Sequence, residues 1–184
     1  MLSRTFLWPQ GYTSAAMISV NLDAEFYGRI FYPGIDVSEG DIQRLGWTGM
    51  EYGLPHLLDC FREHGVKGTF FIPGRVAELY PDAVRAIADA GHELGCHGYE
   101  HEILAHFTPE EQLELLKKAK AAIEKAAGRA VTGFRMPEGE ITEQTLVAAK
   151  EAGFAYSSSL SNTDVPYIRQ PAGLPELPIS WTLF

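Results

Sequence analysis

Cysteine, long apolar runs and positive charge are all scarce in this 184-residue chain. Two cysteines are too few for a disulfide framework, and two free thiols fit a reducing compartment. No run of about 20 apolar residues is present, so we expect no membrane-spanning helix. The net charge of -9 argues against nucleic acid or an anionic membrane as the main partner. The N-terminal residues lack the apolar segment of a secretion signal, which predicts a cytoplasmic protein.

The pattern that is present alternates apolar strands with amphipathic helices, without repeats or low-complexity segments. A hydrophobic content of 46% and a charged content of 21% predict one globular domain over residues 1–184. Six strands are predicted. The first starts at residue 15 and the third ends at residue 97. The other four span residues 66–72, 131–135, 154–157 and 174–180. The predicted helices span residues 54–64, 82–90 and 109–127, and a fourth starts after Thr142 and ends at Gly153. Such alternation indicates an α/β fold of parallel β/α units, and it leaves an open sheet and a barrel as alternatives.

Two histidines four residues apart, His97 and His101, are the first candidate ligands. We expect them to project from one side of a helical turn, where both rings reach one divalent ion. Two solvated surface histidines are the alternative. Asp23 follows the first apolar strand and supplies a third ligand, unless it is a loop acid or a helix cap. Two histidines and one carboxylate form a common catalytic metal set, whereas Cys96 should alternate away from His97 on a strand.

Six motifs occur in the order found in one enzyme family. They are Asn21–Glu25, Thr69–Gly74, Gly91–Glu93, His97–His101, Arg135-x-Pro137-x-Gly139 and Glu176–Trp181. In this ordered set the chain resembles the polysaccharide deacetylase family, carbohydrate esterase family four, in its peptidoglycan-deacetylase and allantoinase-like branch. The resemblance implies a distorted (β/α) barrel of seven strands. It also implies a metal-dependent hydrolase that removes N-acetyl groups from amino sugars or glycans.

The same resemblance assigns roles to residues of this chain. A divalent metal would be held by Asp23, His97 and His101, with zinc expected first and cobalt, nickel or manganese as alternatives. The metal would polarise the amide oxygen and activate a water molecule. Arg135 would orient the catalytic base, and the backbone at Glu138 would donate to the developing oxyanion.

One position departs from the family pattern. The family has an aspartate as general base where this chain has Asn21, and an amide does not accept a proton near neutral pH. Glu25 is the first candidate to replace it, because it shares a loop with Asp23. Glu100 and Glu138 are the alternatives.

The expected partner is an N-acetylated sugar or a small amide substrate. A cyclic-amide hydrolase of the allantoinase-like type is the second candidate. An inactive glycan-binding or subunit-pairing fragment is the third, suggested by Asn21 and by the absence of the family's general-acid histidine after His106. We therefore expect a barrel that is incomplete at the C-terminus, and a homo-oligomer formed through an exposed strand.

Aromatic residues near the first strand have two possible roles. Tyr27, Phe31, Tyr32 and Trp47 either line a substrate cleft or form a local core. Trp181 is expected to pack in the core beside the pocket.

Overall fold

The computed structural model describes residue 8 and residues 10–30, 41–139 and 141–180. Seven strands form one sheet in these ranges, in the order β1-β2-β3-β4-β5-β7-β6. They are β1 (Ser19–Asn21), β2 (Thr69–Ile72), β3 (Glu93–Cys96), β4 (Gly133–Phe134), β5 (Tyr156–Ser157), β6 (Tyr167–Arg169) and β7 (Leu174–Glu176). All neighbours are parallel except the β6–β7 hairpin. The predicted α/β fold of parallel units is confirmed, and within the described residues the sheet is open.

Six α-helices lie between the strands in the ranges given above. They are α1 (Asp41–Thr48), α2 (Leu54–Glu63), α3 (Gly74–Leu79), α4 (Pro81–Asp89), α5 (Pro109–Ala127) and α6 (Glu143–Glu151). Short 3-10 turns cover Ala24–Ile30, Leu104–His106 and Pro137–Gly139, and a π-helical turn covers Gly49–Gly53. None of the helices described is long and apolar enough to cross a bilayer.

Helix α5 is the centre of the helical layer, because it contacts α3, α4, α6 and strand β3. It begins with the predicted capping box, in which Thr108 and Glu111 each bind the other's backbone N–H, and it ends at Gly128 in the left-handed region. Leu116 and Ile123 from its apolar stripe are fully buried. This packing fixes the helix against the sheet and so fixes the loops that follow the strands.

The structure differs from the predicted pattern in several places. Helices α1 and α3 are not among the predicted helices; Pro73-Gly74 is typical of a strand end, but Pro73 is the N-cap of α3. Strand β6 is not among the predicted strands, although it forms a hairpin with β7. Strand β2 is shorter than predicted because Gly65 has φ +63° and Val66 donates back to Phe61, which closes α2 instead of extending the strand.

The parallel register brings the ends of the strands to one edge of the sheet. Ile72 pairs with Cys96, Cys96 with Phe134, and Phe134 with Ser157. The ladder continues one step further, since the backbone N–H groups of His97, Arg135 and Ser158 donate to the preceding strands at 2.8–2.9 Å. The residues that leave β1, β3, β4 and β5 therefore meet at the same edge.

Candidate metal centre

Asp23, His97 and His101 converge at this edge of the sheet. Nε2 of His97 lies 3.6 Å from Oδ1 of Asp23, and Nε2 of His101 lies 3.7 Å from Oδ2 of the same carboxylate. One ligand atom from each of the three residues lies within 4.8 Å of the other two. Ligand atoms around a tetrahedral ion with bonds of about 2.0–2.2 Å are separated by roughly 3.3–3.6 Å. The three side chains are therefore spaced for a single divalent ion.

The ring of His97 is held in the tautomer that a metal needs. Its Nδ1 lies 2.8 Å from the carbonyl oxygen of Arg135, and a carbonyl only accepts, so Nδ1 carries the proton. Nε2 then presents a lone pair on the side of Asp23. A backbone carbonyl on the far nitrogen is the usual partner of a metal-ligating histidine. Cys96 takes no part, because its thiol is buried and directed toward the carbonyl of Gly98.

The stretch from His97 to His101 is not the predicted helical turn. Gly98 has φ +73° and His101 has φ +62°, and both values lie in the left-handed region, outside a right-handed helical turn. A Cβ at Gly98 would lie 3.2 Å from the ring of Pro137, which adds a steric reason for glycine to its positive φ. The two rings are nevertheless close, with centroids 4.9 Å apart at 71°. The predicted proximity of the two imidazoles is therefore observed, but the predicted helical turn was wrong.

Backbone strain is concentrated around this site. Within the described residues, the non-glycine residues with positive φ are Ala24, His101 and Glu138. Ala24 follows Asp23, His101 is a candidate ligand, and Glu138 belongs to the Arg135 motif. Each such conformation costs about 1–3 kcal/mol and persists only where the surroundings impose it. Strained residues of this kind cluster at functional sites in proteins.

Each of the three candidate ligands has one buried polar atom without a protein partner in the described part of the chain. Asp23 Oδ1, His97 Nε2 and His101 Nδ1 are buried and have no hydrogen-bond partner among the described residues. Burial, with the field of Glu138, raises the pKa of Asp23 to about 7. Burial lowers the pKa of His97 to about 3 and that of His101 to about 4, so both rings are neutral. Neutral imidazoles beside a carboxylate with an unpaired oxygen are a donor set that fits a divalent cation.

Arg135 and Asn21 are bonded to each other beside the cluster. Nη1 of Arg135 donates to Oδ1 of Asn21 at 2.9 Å, while Nε and Nη2 donate to the carbonyl and hydroxyl of Ser158 at 2.7 and 2.9 Å. The guanidinium also lies 4.0 Å from the centroid of the Phe71 ring, within cation–π distance. Gly95 leaves the space for that ring, because a Cβ there would lie 2.5 Å from it. Arg135 is thus held in place with one N–H bonded to the side chain at position 21, where the family pattern has its base.

Two of the three carboxylates predicted as candidate bases, Glu25 and Glu138, are in different environments. Glu25 accepts a hydrogen bond of 3.1 Å from Tyr80, a residue between α3 and α4. Glu138 is exposed, and its charge is close enough to Asp23 to raise the pKa of that carboxyl. Of these two carboxylates, the structure gives Glu138 the electrostatic contact with the metal cluster. The assignment of a base stays a prediction for both.

A cavity of about 560 Å³ adjoins Asn21 and Asp23. Tyr27 lines it, has 53% of its surface exposed, and lies with its ring centroid 6.3 Å from that of His101. Trp47 is also exposed and packs edge-on against Tyr52. Tyr27 and Trp47 therefore do not form a buried local core, and Tyr27 is at the cleft. Phe31, Tyr32 and Trp181 lie outside the described residues.

Two serines of the site were missed from the sequence, and Glu176, which begins the last of the six motifs, was given no role of its own. Ser158 binds Arg135, and the hydroxyl of Ser159 accepts from the backbone N–H of Met136 at 3.0 Å. Glu176, fully buried on β7, accepts from the backbone of Ser159 and Leu160 at 2.6 and 2.9 Å. A run of serines at the carboxyl end of a predicted strand was the signal that could have identified the two serines, because polar residues at that end of a parallel strand often line a functional site.

Fold and site together define a β/α protein with a His-His-Asp cluster at the carboxyl ends of its parallel strands. Comparison with known proteins gives the family. The polysaccharide deacetylase family model matches residues 47–157. The chain therefore belongs to the polysaccharide deacetylase family.

Named relatives agree with this assignment. The chain is 36% identical over 137 residues to the peptidoglycan deacetylase of Helicobacter pylori, covering 74% of this chain and 46% of that protein. It is 39% identical over 100 residues to the peptidoglycan-N-acetylglucosamine deacetylase of Bacillus cereus, covering 54% and 36%. The crystal structure of a proposed polysaccharide deacetylase from Mycobacterium smegmatis superposes with a TM-score of 0.87 at 35% identity, covering 96% of this chain and 62% of that one. The chain spans less than half the length of these two curated relatives.

Proposed function

We propose that this chain carries the metal-binding part of a deacetylase that hydrolyses the N-acetyl amide of amino sugars in peptidoglycan or a related glycan. The observation that carries the proposal is that one ligand atom each of Asp23, His97 and His101 lies within 4.8 Å of the other two. Two atoms that face each other there, Asp23 Oδ1 and His97 Nε2, are buried and have no hydrogen-bond partner among the described residues. The names of the relatives supply the substrate class, as peptidoglycan and its N-acetylglucosamine. Zinc is the metal that we test first, because two imidazoles and a carboxylate with an open position suit it.

The protein groups have separable tasks in this proposal. Asp23, His97 and His101 would hold the ion, which when bound polarises the amide oxygen and makes water more acidic. Arg135 fixes the side chain at position 21 by a direct hydrogen bond. Asn21 offers an oxygen acceptor there but takes no proton. Glu138 is the first candidate to take the proton, since its charge reaches Asp23, whereas Glu25 is bonded to Tyr80.

The experiment is metal titration joined to an acetate-release assay. Chelator-treated protein is titrated with Zn²⁺ and Co²⁺, and then incubated with N-acetylglucosamine oligomers and with peptidoglycan fragments. We expect one ion per chain, and acetate release that requires it. His97→Ala should lose both, while His106→Ala is the control histidine. Wild-type protein that binds neither ion would overturn the proposal.

The same assay separates the alternatives. Turnover of cyclic or ureido amides without acetate release would favour the allantoinase-like activity. Sugar binding without any turnover would favour a binding role. The cytoplasmic location and the homo-oligomer remain proposals, and light scattering of the purified chain tests the second.

A further inference from the structure

The loop between the two imidazoles is held on one side by α3. Backbone N–H groups of Gly74 and Arg75, at the start of that helix, donate to the carbonyls of Gly98 and Tyr99 at 3.0 and 2.8 Å. These bonds fix the carbonyls of the loop. The N–H groups of the loop take no part in these bonds. Other contacts must therefore bind them and stabilise the positive φ of His101.

The carboxylate of Glu102 binds the N–H groups of this loop. It accepts from the backbone of Tyr99 at 2.9 and 3.2 Å and from the backbone of Glu100 at 2.5 Å. Glu102 follows His101 directly, so the carboxylate reaches back over the residue whose φ is +62°. Hydrogen bonds to an ionised acceptor are roughly twice as strong as neutral ones. Glu102 is therefore placed to stabilise the left-handed backbone conformation in which the His101 ring lies beside Asp23.

Glu102 is not a member of the ligand cluster itself. In the described part of the chain, the residues whose ligand atoms group together are Asp23, His97 and His101. The Glu102 oxygens are instead engaged by the loop backbone. Its effect on a bound ion is consequently indirect, through the direction of the His101 ring.

We propose that Glu102 is a positioning residue that sets the His101 imidazole for metal binding, an inference that rests on the proposed metal centre. Removing it frees two backbone N–H groups and relaxes the left-handed conformation of His101. The ring then leaves the position 3.7 Å from Asp23. The metal is retained by the two other ligands, with lower affinity and altered geometry.

The test is Co²⁺ and Zn²⁺ binding by chelator-treated wild type, Glu102→Ala, Glu102→Gln and Glu114→Gln. Glu114 is an exposed acid of α5, so its variant controls for the loss of one negative charge. We expect Glu102→Ala to weaken binding about 10–100-fold, the usual effect of removing a partner of a ligand. It should also change the visible absorption of bound Co²⁺, which a loss of fold stability alone does not move. Glu102→Gln, which keeps an oxygen acceptor, should lose less than tenfold, and Glu114→Gln should match wild type.

The outcomes separate the two proposals. If the wild type binds no ion, the metal centre is wrong and this inference falls with it. If the wild type binds Co²⁺, and Glu102→Ala binds it with equal affinity and the same spectrum, only the positioning role is overturned. If Glu102→Ala does not fold, Glu102→Leu, which keeps side-chain bulk but has no hydrogen-bond acceptor, decides by the same two readouts.

Discussion

Replacing Asn21 with aspartate puts a proton acceptor at the position that Arg135 already contacts. The amide and the carboxylate have nearly the same shape, and Oδ1 is 2.9 Å from Nη1 of Arg135, so the new side chain should keep its place. The change therefore tests chemistry with little change in packing. It is also the substitution that restores the family pattern.

The expected size of the gain follows from the contact with Arg135. A positioned general base contributes about 10²–10⁴-fold to a rate. A neighbouring guanidinium lowers the pKa of an aspartate by about 1–3, which keeps it ionised at pH 7 but makes it a weaker base. We therefore expect a gain near the lower limit, about 100-fold in kcat for metal-loaded protein releasing acetate.

The assay compares wild type, Asn21→Asp, Asn21→Ala, Glu138→Gln and the double variant Asn21→Asp/Glu138→Gln at equal metal occupancy. If Glu138 serves as the base in the wild type, Glu138→Gln should abolish the wild-type rate, whereas the double variant should keep much of the Asn21→Asp rate. Metal-loaded, folded Asn21→Asp protein with an unchanged rate would refute the reasoning, because it would show that a carboxylate at position 21 is not what the site lacks.

Three further predictions concern proton balance and packing. Metal binding should release about one proton at pH 6, because the metal-free fold keeps Asp23 protonated up to a pKa of about 7. Calorimetry in buffers of different ionisation enthalpy measures this, and the absence of proton release at pH 6 would contradict it. Gly95→Ala should destabilise the fold by about 1–3 kcal/mol in thermal melts, since its Cβ meets Phe71 at 2.5 Å, whereas Gly49→Ala, whose Cβ meets open space, should not. Glu176→Ala should cost about 2–6 kcal/mol in urea denaturation by leaving two N–H groups unpaired, and Glu176→Gln clearly less; equal losses would show that the acceptor oxygen is not what matters.

Periodicity and local motifs predicted the order of the elements well. The stripe of α5 through Leu116 and Ile123, and the capping box at Thr108, depend on side chains a few residues apart, and both appear as predicted. Strand ends were less predictable. The predicted second strand starts at Val66, but Val66 donates to Phe61 in the turn that closes α2, and Gly68 donates to the ring of His92.

Contacts between residues far apart in the chain could not be predicted from the sequence without the family resemblance. Arg135 and Asn21 are 114 positions apart, and their hydrogen bond depends on the register of four parallel strands. Glu176 is also remote, because it reaches Ser159 only through the pairing of β5 with β7. A sequence indicates which polar residues follow strands, whereas the sheet order decides which of them meet.

The loop at His101 is held by the chain's own hydrogen bonds, although the positive φ of His101 costs about 1–3 kcal/mol. These bonds join Glu102 and α3 to the loop, and the bond of His97 to Arg135 fixes the neighbouring ring. Because the backbone is held in this way, an incoming ion has only to draw side chains together and displace one proton. Metal removal should therefore lower the melting temperature without unfolding the loop, and hydrogen exchange at Tyr99 and Glu100 should stay slow in the metal-free protein; rapid exchange there would mean that the ion builds the loop.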